Sequence, residues 1–380
     1  MAIQPELALN ILERLGQQPA VAFHEGGVAQ VVHDILGESG LTAETDGFGN
    51  IIAKIPGSDP SATPIALVAH MDHPGFEAVA AHGDFVVASA LGGVPAGAFA
   101  DGVPVQIILE DGWRLSGSIA GRHGDESQRQ VLISLDQPQP LEFPRPVVFD
   151  LTSFQIDGDF IHMRAADDLA GCASILAALS ALASLSDMRD TNPELQPLGD
   201  VYGVFTRAEE VGLVGARLMA EAGTLPANTL VVSAESSRTL PGAEMGGGPV
   251  IRVGDAGLTF NADAESALIK AKETLQERPE GFKSQRQLMS GGVCEASAFA
   301  LHGYKTTGMA FPLGNYHNGA PGDAIGAEYI HKDDFIGGVE LMMEAALQVS
   351  NRETTNFRQR IGTVSEEFRQ RLAQTPGNQI

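Results

Sequence analysis

The sequence contains only two cysteines, Cys172 and Cys294, among its 380 residues, and both lie in apolar stretches. Two thiols cannot form the disulfide framework that stabilises small secreted domains. The first residues alternate charged and apolar positions, without a basic segment followed by an uninterrupted apolar core, so we expect no secretion signal. Together these features predict a protein of a reducing compartment, most simply the cytoplasm.

Basic residues are also scarce. The chain has 24 lysines and arginines against 48 aspartates and glutamates, which gives a formal net charge of −24. A surface of this sign disfavours a basic groove for nucleic acid, so we expect no nucleic-acid partner. Solubility is a sufficient explanation of the charge, but an acidic field also attracts cations and the positively charged N-termini of peptides.

We find no apolar stretch that approaches the roughly 20 residues needed to span a bilayer, and we expect no membrane partner. A hydrophobic content of 43% with 19% charged residues is typical of an ordinary folded protein. At 380 residues the chain exceeds the roughly 250–300 residues of a single hydrophobic core. A main domain with an insertion or a second domain is therefore expected.

The order of helix and strand patterns predicts an α/β fold with a mostly parallel sheet flanked by helices. Apolar residues recur at helical spacing in 5–16 and 26–37, and a continuous apolar run at 64–70 is typical of a buried strand. Residues 76–162 instead contain many short strand-like runs separated by turn residues, which predicts a barrel-like β domain. The predicted division is a catalytic α/β domain (1–75 and 163–350), an inserted β-rich domain (76–162) and a polar C-terminal tail (351–380).

Side chains suited to metal binding follow apolar runs at separate points of the chain. They are His70 and Asp72 in ALVAHMD, Asp167 in RAADDLAGC, Glu209 and Glu210 in FTRAEEVGL, Glu235 in LVVSAES and His317 in GNYHNG. Because ligands gather at the carboxyl ends of strands in open α/β sheets, we expect these residues to converge. Two imidazoles, several carboxylates and one spare acid are the inventory of a two-metal hydrolase.

Each fragment has a structural explanation when taken alone. Asp167, Glu209 and Glu210 fit helix N-termini, where carboxylates cap the helix or favour its dipole. Glu235 is harder to explain in this way, because an unpaired carboxylate in an apolar strand is costly. Asp72 shares a strand face with His70 and could accept a hydrogen bond from its ring. The joint appearance of all these fragments favours the metal centre.

In these segments the chain resembles the dinuclear metallo-aminopeptidases of the glutamyl, deblocking and tetrahedral (TET) aminopeptidase group. The matching segments are HMD, the Asp-Asp pair followed by AGC, EEVGL, GGGPVI and the earlier DGFGNIIA, and they span about residues 25 to 335. The interval between Asp72 and Asp167 accommodates an inserted domain, as in this group. Related carboxypeptidases and deacylases usually carry their extra domain after the Glu-Glu block. The chain departs from the group at His73, where many members have glutamate.

The resemblance implies a set of ligands for two divalent metal ions. Zinc or cobalt is expected, with manganese as an alternative. Asp167 would bridge both ions, His70 and Glu235 would complete one site, and Glu210 and His317 would complete the other. The resemblance also implies that the β-rich insertion serves as an oligomerisation or lid domain. A homo-oligomer, up to a dodecamer, is the assembly that it implies.

The resemblance assigns the catalytic roles to Glu209 and Asp72. Glu209 would be the general base for a metal-bridging hydroxide that attacks the scissile carbonyl, and Asp72 would orient His70. The implied function is hydrolysis of N-terminal residues from peptide substrates. Two alternatives remain: a dinuclear N-acyl amino acid deacylase or amidohydrolase with the same site, and a non-catalytic peptide-binding protein.

Overall fold

The computed structural model describes residues 3–186 and 196–375. Its helices are α1 (Pro5–Gly16), α2 (Gly26–Glu38), α3 (Ala166–Ser186), α4 (Val214–Ala222), α5 (Ala262–Gln276), α6 (Glu295–Leu301), α7 (Lys332–Gln348), α8 (Asn356–Gly362) and α9 (Glu366–Gln374). Its strands are β1 (Ala43–Thr45), β2 (Ile51–Ile55), β3 (Ile65–His70), β4 (Gly75–His82), β5 (Phe85–Leu91), β6 (Pro104–Ile108), β7 (Arg114–His123), β8 (Gln130–Leu135), β9 (Arg145–Phe149), β10 (Gln155–Asp157), β11 (Phe160–Met163), β12 (Val201–Thr206), β13 (Leu230–Arg238), β14 (Val250–Gly254), β15 (Gln285–Leu288), β16 (Lys305–Gly314), β17 (Gly319–Ala320), β18 (Ala324–Ile325) and β19 (Glu328–His331).

The main sheet has the strand order β1-β2-β12-β3-β13-β16-β19-β11-β10, and β14 and β15 extend it from β16. The four central strands β12, β3, β13 and β16 run parallel to one another. The strands that pair with this group from outside are antiparallel to it, whereas β14 and β15 are parallel to each other, so the sheet as a whole is mixed. The predicted α/β fold is therefore confirmed, with its parallel part at the centre.

Helices cover both faces of this central region, as the alternation along β3 shows. Ile65, Leu67 and Ala69 point into the larger hydrophobic core, which contains residues of α1, α2, α3, α5 and α7. Ala66 and Val68 point the opposite way, into a core shared with α4 and α6. Because both faces of β3 are covered, its sequence is a continuous apolar run rather than an alternating one.

A closed barrel with the strand order β4-β5-β8-β7-β6-β9 interrupts the α/β fold after β3. It has its own hydrophobic core, in which Phe76 packs edge-to-face against Phe99 and Phe149. The barrel strands end at Phe149, and the following strands β10 and β11 join the main sheet through β19. The segment 155–163 therefore belongs to the main sheet, although it resembles the barrel strands in sequence.

Helix α3 is long and apolar enough, by length and composition, to cross a membrane. The candidate span is Ala166–Leu185, with a mean hydropathy of 1.7. The expectation that no stretch approaches this length was therefore wrong. However, 83% of the span is buried inside the protein, where α3 packs against α1, α7 and the central strands. Central helices of globular cores have these same properties, because they are apolar on every side.

Candidate metal centre

The structure brings all seven predicted site residues to the carboxyl end of the parallel strands. His70 is the last residue of β3, and it lies beside Thr206 at the end of β12. Glu209 and Glu210 follow β12 directly, and Glu235 lies within β13.

Asp167 and His317 lie in the segments that follow β11 and β16, the two strands on either side of β19. Asp167 lies at the start of α3, where its φ and ψ of −86° and 106° are not helical, and a cis peptide bond joins it to Asp168. His317 lies in the turn after β16 and has a positive φ of 54°. Local backbone geometry that departs from regular structure at both residues thus directs their side chains toward the same site.

The predicted metal ligands form two groups of three that share one residue. Ligand atoms of His70, Asp167 and Glu235 lie within 4.8 Å of one another, and those of Asp167, Glu210 and His317 do so as well. Asp167 Oδ1 is 3.5 Å from His70 Nε2, while Asp167 Oδ2 is 3.7 Å from His317 Nε2. The distance from His317 Nε2 to Glu210 Oε1 is 3.4 Å. Asp167 is thus positioned to contact two neighbouring ions.

Both histidines present the nitrogen that a cation needs. His70 Nδ1 lies 3.0 Å from the carbonyl oxygen of Asp72, and His317 Nδ1 lies 3.1 Å from that of Gly93. A carbonyl oxygen can only accept, so each Nδ1 carries the hydrogen in the neutral ring. Each Nε2 then offers its lone pair to the carboxylate cluster, as in metal sites where a hydrogen bond fixes the tautomer.

Three carboxylate oxygens in the cluster lack the partners that buried oxygens ordinarily have. Asp167 Oδ1, Glu210 Oε1 and Glu235 Oε1 are buried and accept no hydrogen bond from the described residues. An unsatisfied buried acceptor is costly, and more so when it is charged. Two ligands that bind one zinc ion tetrahedrally at about 2.1 Å are about 3.4 Å apart, close to the distances observed here. The residues present therefore fit divalent cations.

The electrostatics of the cluster agree with this fit. Burial raises the pKa of Glu209 and Glu235 well above the ordinary value of a glutamate. The positive charge of His70 opposes the shift at Glu209, and that of Arg252 opposes the shift at Glu235. Burial alone would lower the pKa of His70, but the surrounding carboxylates, Glu209 first among them, raise it instead. Divalent cations would supply positive charge to the cluster and keep the carboxylates ionised.

A third group of possible ligands, His70, Glu209 and Glu210, competes with the first two. Glu209 differs from Glu235 in its side-chain oxygens. Among the described residues, Glu235 Oε1 is buried without a hydrogen-bond partner, whereas neither oxygen of Glu209 is in that state. Glu209 therefore lacks the unpaired oxygen that three of the predicted ligands share, which leaves it as the acid available to exchange protons with a substrate.

Asp72 holds the turn that carries the two glutamates. Its Oδ1 accepts from the backbone N–H of Glu209 at 2.8 Å, and its Oδ2 accepts from that of Glu210 at 3.0 Å. The hydrogen bond with the His70 ring goes to the Asp72 carbonyl oxygen, whereas the Asp72 carboxylate is 3.6 Å from Nδ1. The contact with His70 expected from the sequence is present, but the side chain of Asp72 positions Glu209 and Glu210.

Glu328 has a similar role that the sequence analysis missed. This wholly buried carboxylate accepts from the backbone N–H of Asp167 at 2.9 Å and from that of His317 at 2.7 Å. It thereby ties together two predicted ligands that are far apart in the sequence. The only sequence signal was an acid at the start of a short strand, EYIH, which is a common pattern at exposed positions.

His73 occupies the position where the sequence departs from the resembling group. It lies beneath the cluster, with Nδ1 at 2.6 Å from the carbonyl oxygen of Asp167 and Nε2 at 2.9 Å from Asn318 Oδ1. Burial lowers the pKa of His73 to about 4. Its ring therefore contacts the backbone of a predicted ligand and is shielded from solvent.

More than half of the chain matches the sequence model of a known protein family. The model of the M42 glutamyl aminopeptidases matches residues 141–341, slightly more than half of the chain. The chain belongs to the M42 glutamyl aminopeptidase family. This confirms the resemblance stated from the sequence, and it confirms the prediction of an aminopeptidase-type hydrolase at the level of the family.

Solved structures share the fold of this M42 chain at low sequence identity. An aminopeptidase from the archaeon Desulfurococcus kamchatkensis is 21% identical with a TM-score of 0.72, and the match covers 95% of this chain and 99% of that one. The TET1 peptidase of Pyrococcus horikoshii, described as able to assemble into a tetrahedron or a large octahedral shell, is also 21% identical with a TM-score of 0.72. That match covers 89% of this chain and 99% of the other.

A curated relative, peptidase T of Aeromonas hydrophila subsp. hydrophila, is 32% identical over 197 residues. The match covers 51% of the M42 chain and 38% of peptidase T. The chain therefore spans less than half of the length of this relative.

Proposed function

We propose that the chain is a metal-dependent aminopeptidase that removes N-terminal residues from peptides with two divalent ions, zinc or cobalt, or manganese as the alternative. The observation that carries the proposal is the pair of ligand groups that share Asp167 and contain three buried carboxylate oxygens without a hydrogen-bond partner in the described part of the chain. Membership of the M42 family supports it. His70 and Glu235 would complete one ion site, and Glu210 and His317 the other.

The roles of the protein's own residues follow from their positions. Bound divalent ions would polarise the scissile carbonyl and lower the pKa of a water molecule. Glu209 accepts the proton of that water as it attacks, and then transfers the proton to the leaving amine. Asp72 keeps Glu209 and Glu210 in place through their backbone N–H groups.

A small cavity beside Glu235 is suited to the side chain of the substrate's N-terminal residue. Arg252 and Tyr316 lie in its wall, and the Gly-Gly turn at 291–292 contributes to the lining. Arg252 is buried, and its Nε and Nη1 make no hydrogen bond with the described residues. Glu235 Oε2 lies 3.9 Å from Arg252 Nη1, beyond hydrogen-bond distance. A buried guanidinium with free donors binds a carboxylate strongly, so we propose a preference for N-terminal glutamate or aspartate.

Replacing Arg252 with methionine tests this preference. A hydrogen bond to a charged group contributes about 1.5–3 kcal/mol, which corresponds to a factor of roughly 10–150. We expect kcat/KM for a peptide with N-terminal glutamate to fall by that factor relative to a peptide with N-terminal leucine. Arg238→Met is the matched control, because Arg238 lies in the same wall but stacks on Tyr316. An unchanged glutamate-to-leucine ratio in Arg252→Met would exclude the assignment.

The activity itself is tested by a mass-spectrometric time course on a pool of free and N-acetylated peptides, with zinc or cobalt supplied. We expect stepwise loss of residues from free N-termini, no change in the acetylated peptides, and no reaction when a chelator is present. Release of acetyl groups would instead establish the deacylase. No cleavage by protein that carries two ions per chain would favour the peptide-binding protein.

We further propose a cytoplasmic homo-oligomer, up to a dodecamer, without nucleic-acid partners. The net charge of −24 and the two buried, unpaired cysteines support this environment. The shells described for the TET1 peptidase of Pyrococcus horikoshii support the assembly. The sequence-based division into a catalytic domain (1–75 and 163–350), an insertion (76–162) that serves in assembly or as a lid, and a tail (351–380) is part of the same proposal, except that strands β10 and β11 at 155–163 belong with the catalytic sheet.

A further inference from the structure

Arg238 is an exposed cation where two cavities meet beside the metal centre. It ends strand β13, three residues after Glu235, and lies in the wall of the small cavity next to that residue. It also lines a second cavity of about 600 Å³, which we call the outer cavity and whose wall includes Pro95, Tyr316 and Asp323. The two cavities are therefore neighbours that share Arg238 and Tyr316.

Tyr316 connects Arg238 to the metal centre. The Tyr316 ring stacks on the ring of His317, with centroids 3.7 Å apart and an angle of 20° between the planes. The guanidinium of Arg238 lies 4.4 Å from the centroid of the same Tyr316 ring. Because His317 covers one face of Tyr316, the guanidinium occupies the other face, where the aromatic ring attracts a cation. Arg238 is thus held at a defined position, one aromatic ring away from a predicted metal ligand.

The charge of Arg238 has no acidic partner in the described part of the chain. Within residues 3–186 and 196–375, the guanidinium makes neither a hydrogen bond nor an ion pair. Asp323 lies in the wall of the same outer cavity, but it does not come within ion-pair distance. The N–H donors of the guanidinium therefore remain available to a ligand. A fixed cation with free donors, in a chain with a net charge of −24, points to an anionic group of the substrate.

The proposed function identifies that anionic group. Every unmodified peptide ends in a carboxylate, which a guanidinium can bind through two parallel hydrogen bonds. If the first side chain of the substrate points toward the buried Arg252, the rest of the peptide leads outward, to the exposed Arg238 and the outer cavity. An extended chain advances by at most about 3.3–3.6 Å per residue, so one or two residues span the two stacking distances between His317 and Arg238.

We propose that Arg238 binds the C-terminal carboxylate of dipeptides and tripeptides, which makes short peptides with a free C-terminus the preferred substrates. The proposal rests on the aminopeptidase function proposed above and names its substrate class. Arg252 and Arg238 would then act at opposite ends of the substrate: the first would select the N-terminal side chain, and the second would select the length and the free C-terminus.

Four tripeptides separate these two contacts. They begin with glutamate or leucine, and they end in a free carboxylate or in a neutral amide. From the strengths of exposed ion pairs and of charged hydrogen bonds, we expect initial rates to give a kcat/KM about five- to tenfold higher for the free acids than for the amides. Arg238→Met should bring this acid-to-amide ratio to about one and leave the glutamate-to-leucine ratio unchanged. Arg252→Met is the matched control, because it should change only the glutamate-to-leucine ratio.

Two further readouts distinguish a charge contact from a structural effect. Arg238→Lys keeps the charge and should retain part of the acid-to-amide ratio, and high salt should lower that ratio in the natural protein because exposed charges are screened. A structural defect would slow all four peptides of Arg238→Met equally and preserve the ratio. A preserved ratio in this variant, or a ratio of one in the natural protein, would overturn the proposal.

A binding measurement keeps this contact separate from the proposed activity. Isothermal titration calorimetry on zinc-supplied Glu209→Gln measures the Kd of each tripeptide without turnover. We expect the free acids to bind at least fivefold more tightly than the amides, and the difference to disappear in Glu209→Gln combined with Arg238→Met. Absence of cleavage by the natural protein would refute the aminopeptidase function alone, whereas equal Kd values for acid and amide would refute the role of Arg238.

Discussion

Replacement of Glu209 with glutamine is expected to lower kcat by a factor of about 10²–10⁴ while two metal ions remain bound. The amide keeps the size of the side chain but cannot take a proton from the attacking water. The Glu209 carboxylate lies outside the two ligand groups that share Asp167, and among the described residues neither of its oxygens is buried without a hydrogen-bond partner. Steady-state kinetics and elemental analysis of the purified variant measure the two quantities independently.

Glu210→Gln is the matched control, because it makes the same change at the adjacent residue. Glu210 Oε1 is buried, has no hydrogen-bond partner in residues 3–186 and 196–375, and lies 3.4 Å from His317 Nε2. Loss of this carboxylate is therefore expected to lower metal content. Retained turnover in Glu209→Gln would refute the role of general base. Loss of metal from Glu209→Gln would identify Glu209 as a ligand, as in the third group of the cluster.

Asp167→Asn is expected to remove both ions, because Asp167 is the residue that the two ligand groups share. The neutral amide offers each ion a weaker ligand, and the charge that would attract both ions is lost from the centre of the cluster. Addition of zinc should therefore raise the Tm of the natural protein but not that of the variant, since a ligand stabilises only the state that binds it. Activity should fall at least as far as in Glu209→Gln.

The neighbouring acid provides the control for this experiment. Asp168 is equally buried, but it belongs to none of the ligand groups, and its Oδ1 accepts from the backbone N–H of Gly171 at 3.1 Å. Asp168→Asn should keep the increase in Tm on addition of zinc. Two ions bound per chain in Asp167→Asn would rule out the shared ligand.

Much of this arrangement follows from local sequence patterns. The apolar run that ends at His70 and the one that precedes Glu209 are buried on both faces, so they had to be central strands. Parallel central strands bring their carboxyl ends to one edge, and that single rule is enough to gather residues that are distant in sequence. The helices at 5–16 and 26–37 were likewise predictable, because their apolar faces follow the helical period.

Other features depend on contacts that no local pattern encodes. Strands β10 and β11 resemble those of the barrel, and only their pairing with β19 places them in the main sheet. Glu328 accepts from the backbone N–H of Asp167, and Glu25 accepts from that of Ala208, just before Glu209 and Glu210. Such hydrogen bonds leave no signature in the sequence. The apolarity of α3 reflects burial on all sides, which only the assembled core reveals.

The hydrogen bond between Gly93 and His317 has a consequence for the relation between the two parts of the chain. Gly93 lies between strands β5 and β6 of the barrel, and a side chain at this position would overlap the His317 ring. The segment between two barrel strands thus supplies the acceptor that sets the tautomer of a predicted ligand from the main sheet region. The barrel is consequently not a removable module: a shift of it against the main sheet would alter the half of the proposed ion-binding site that contains His317.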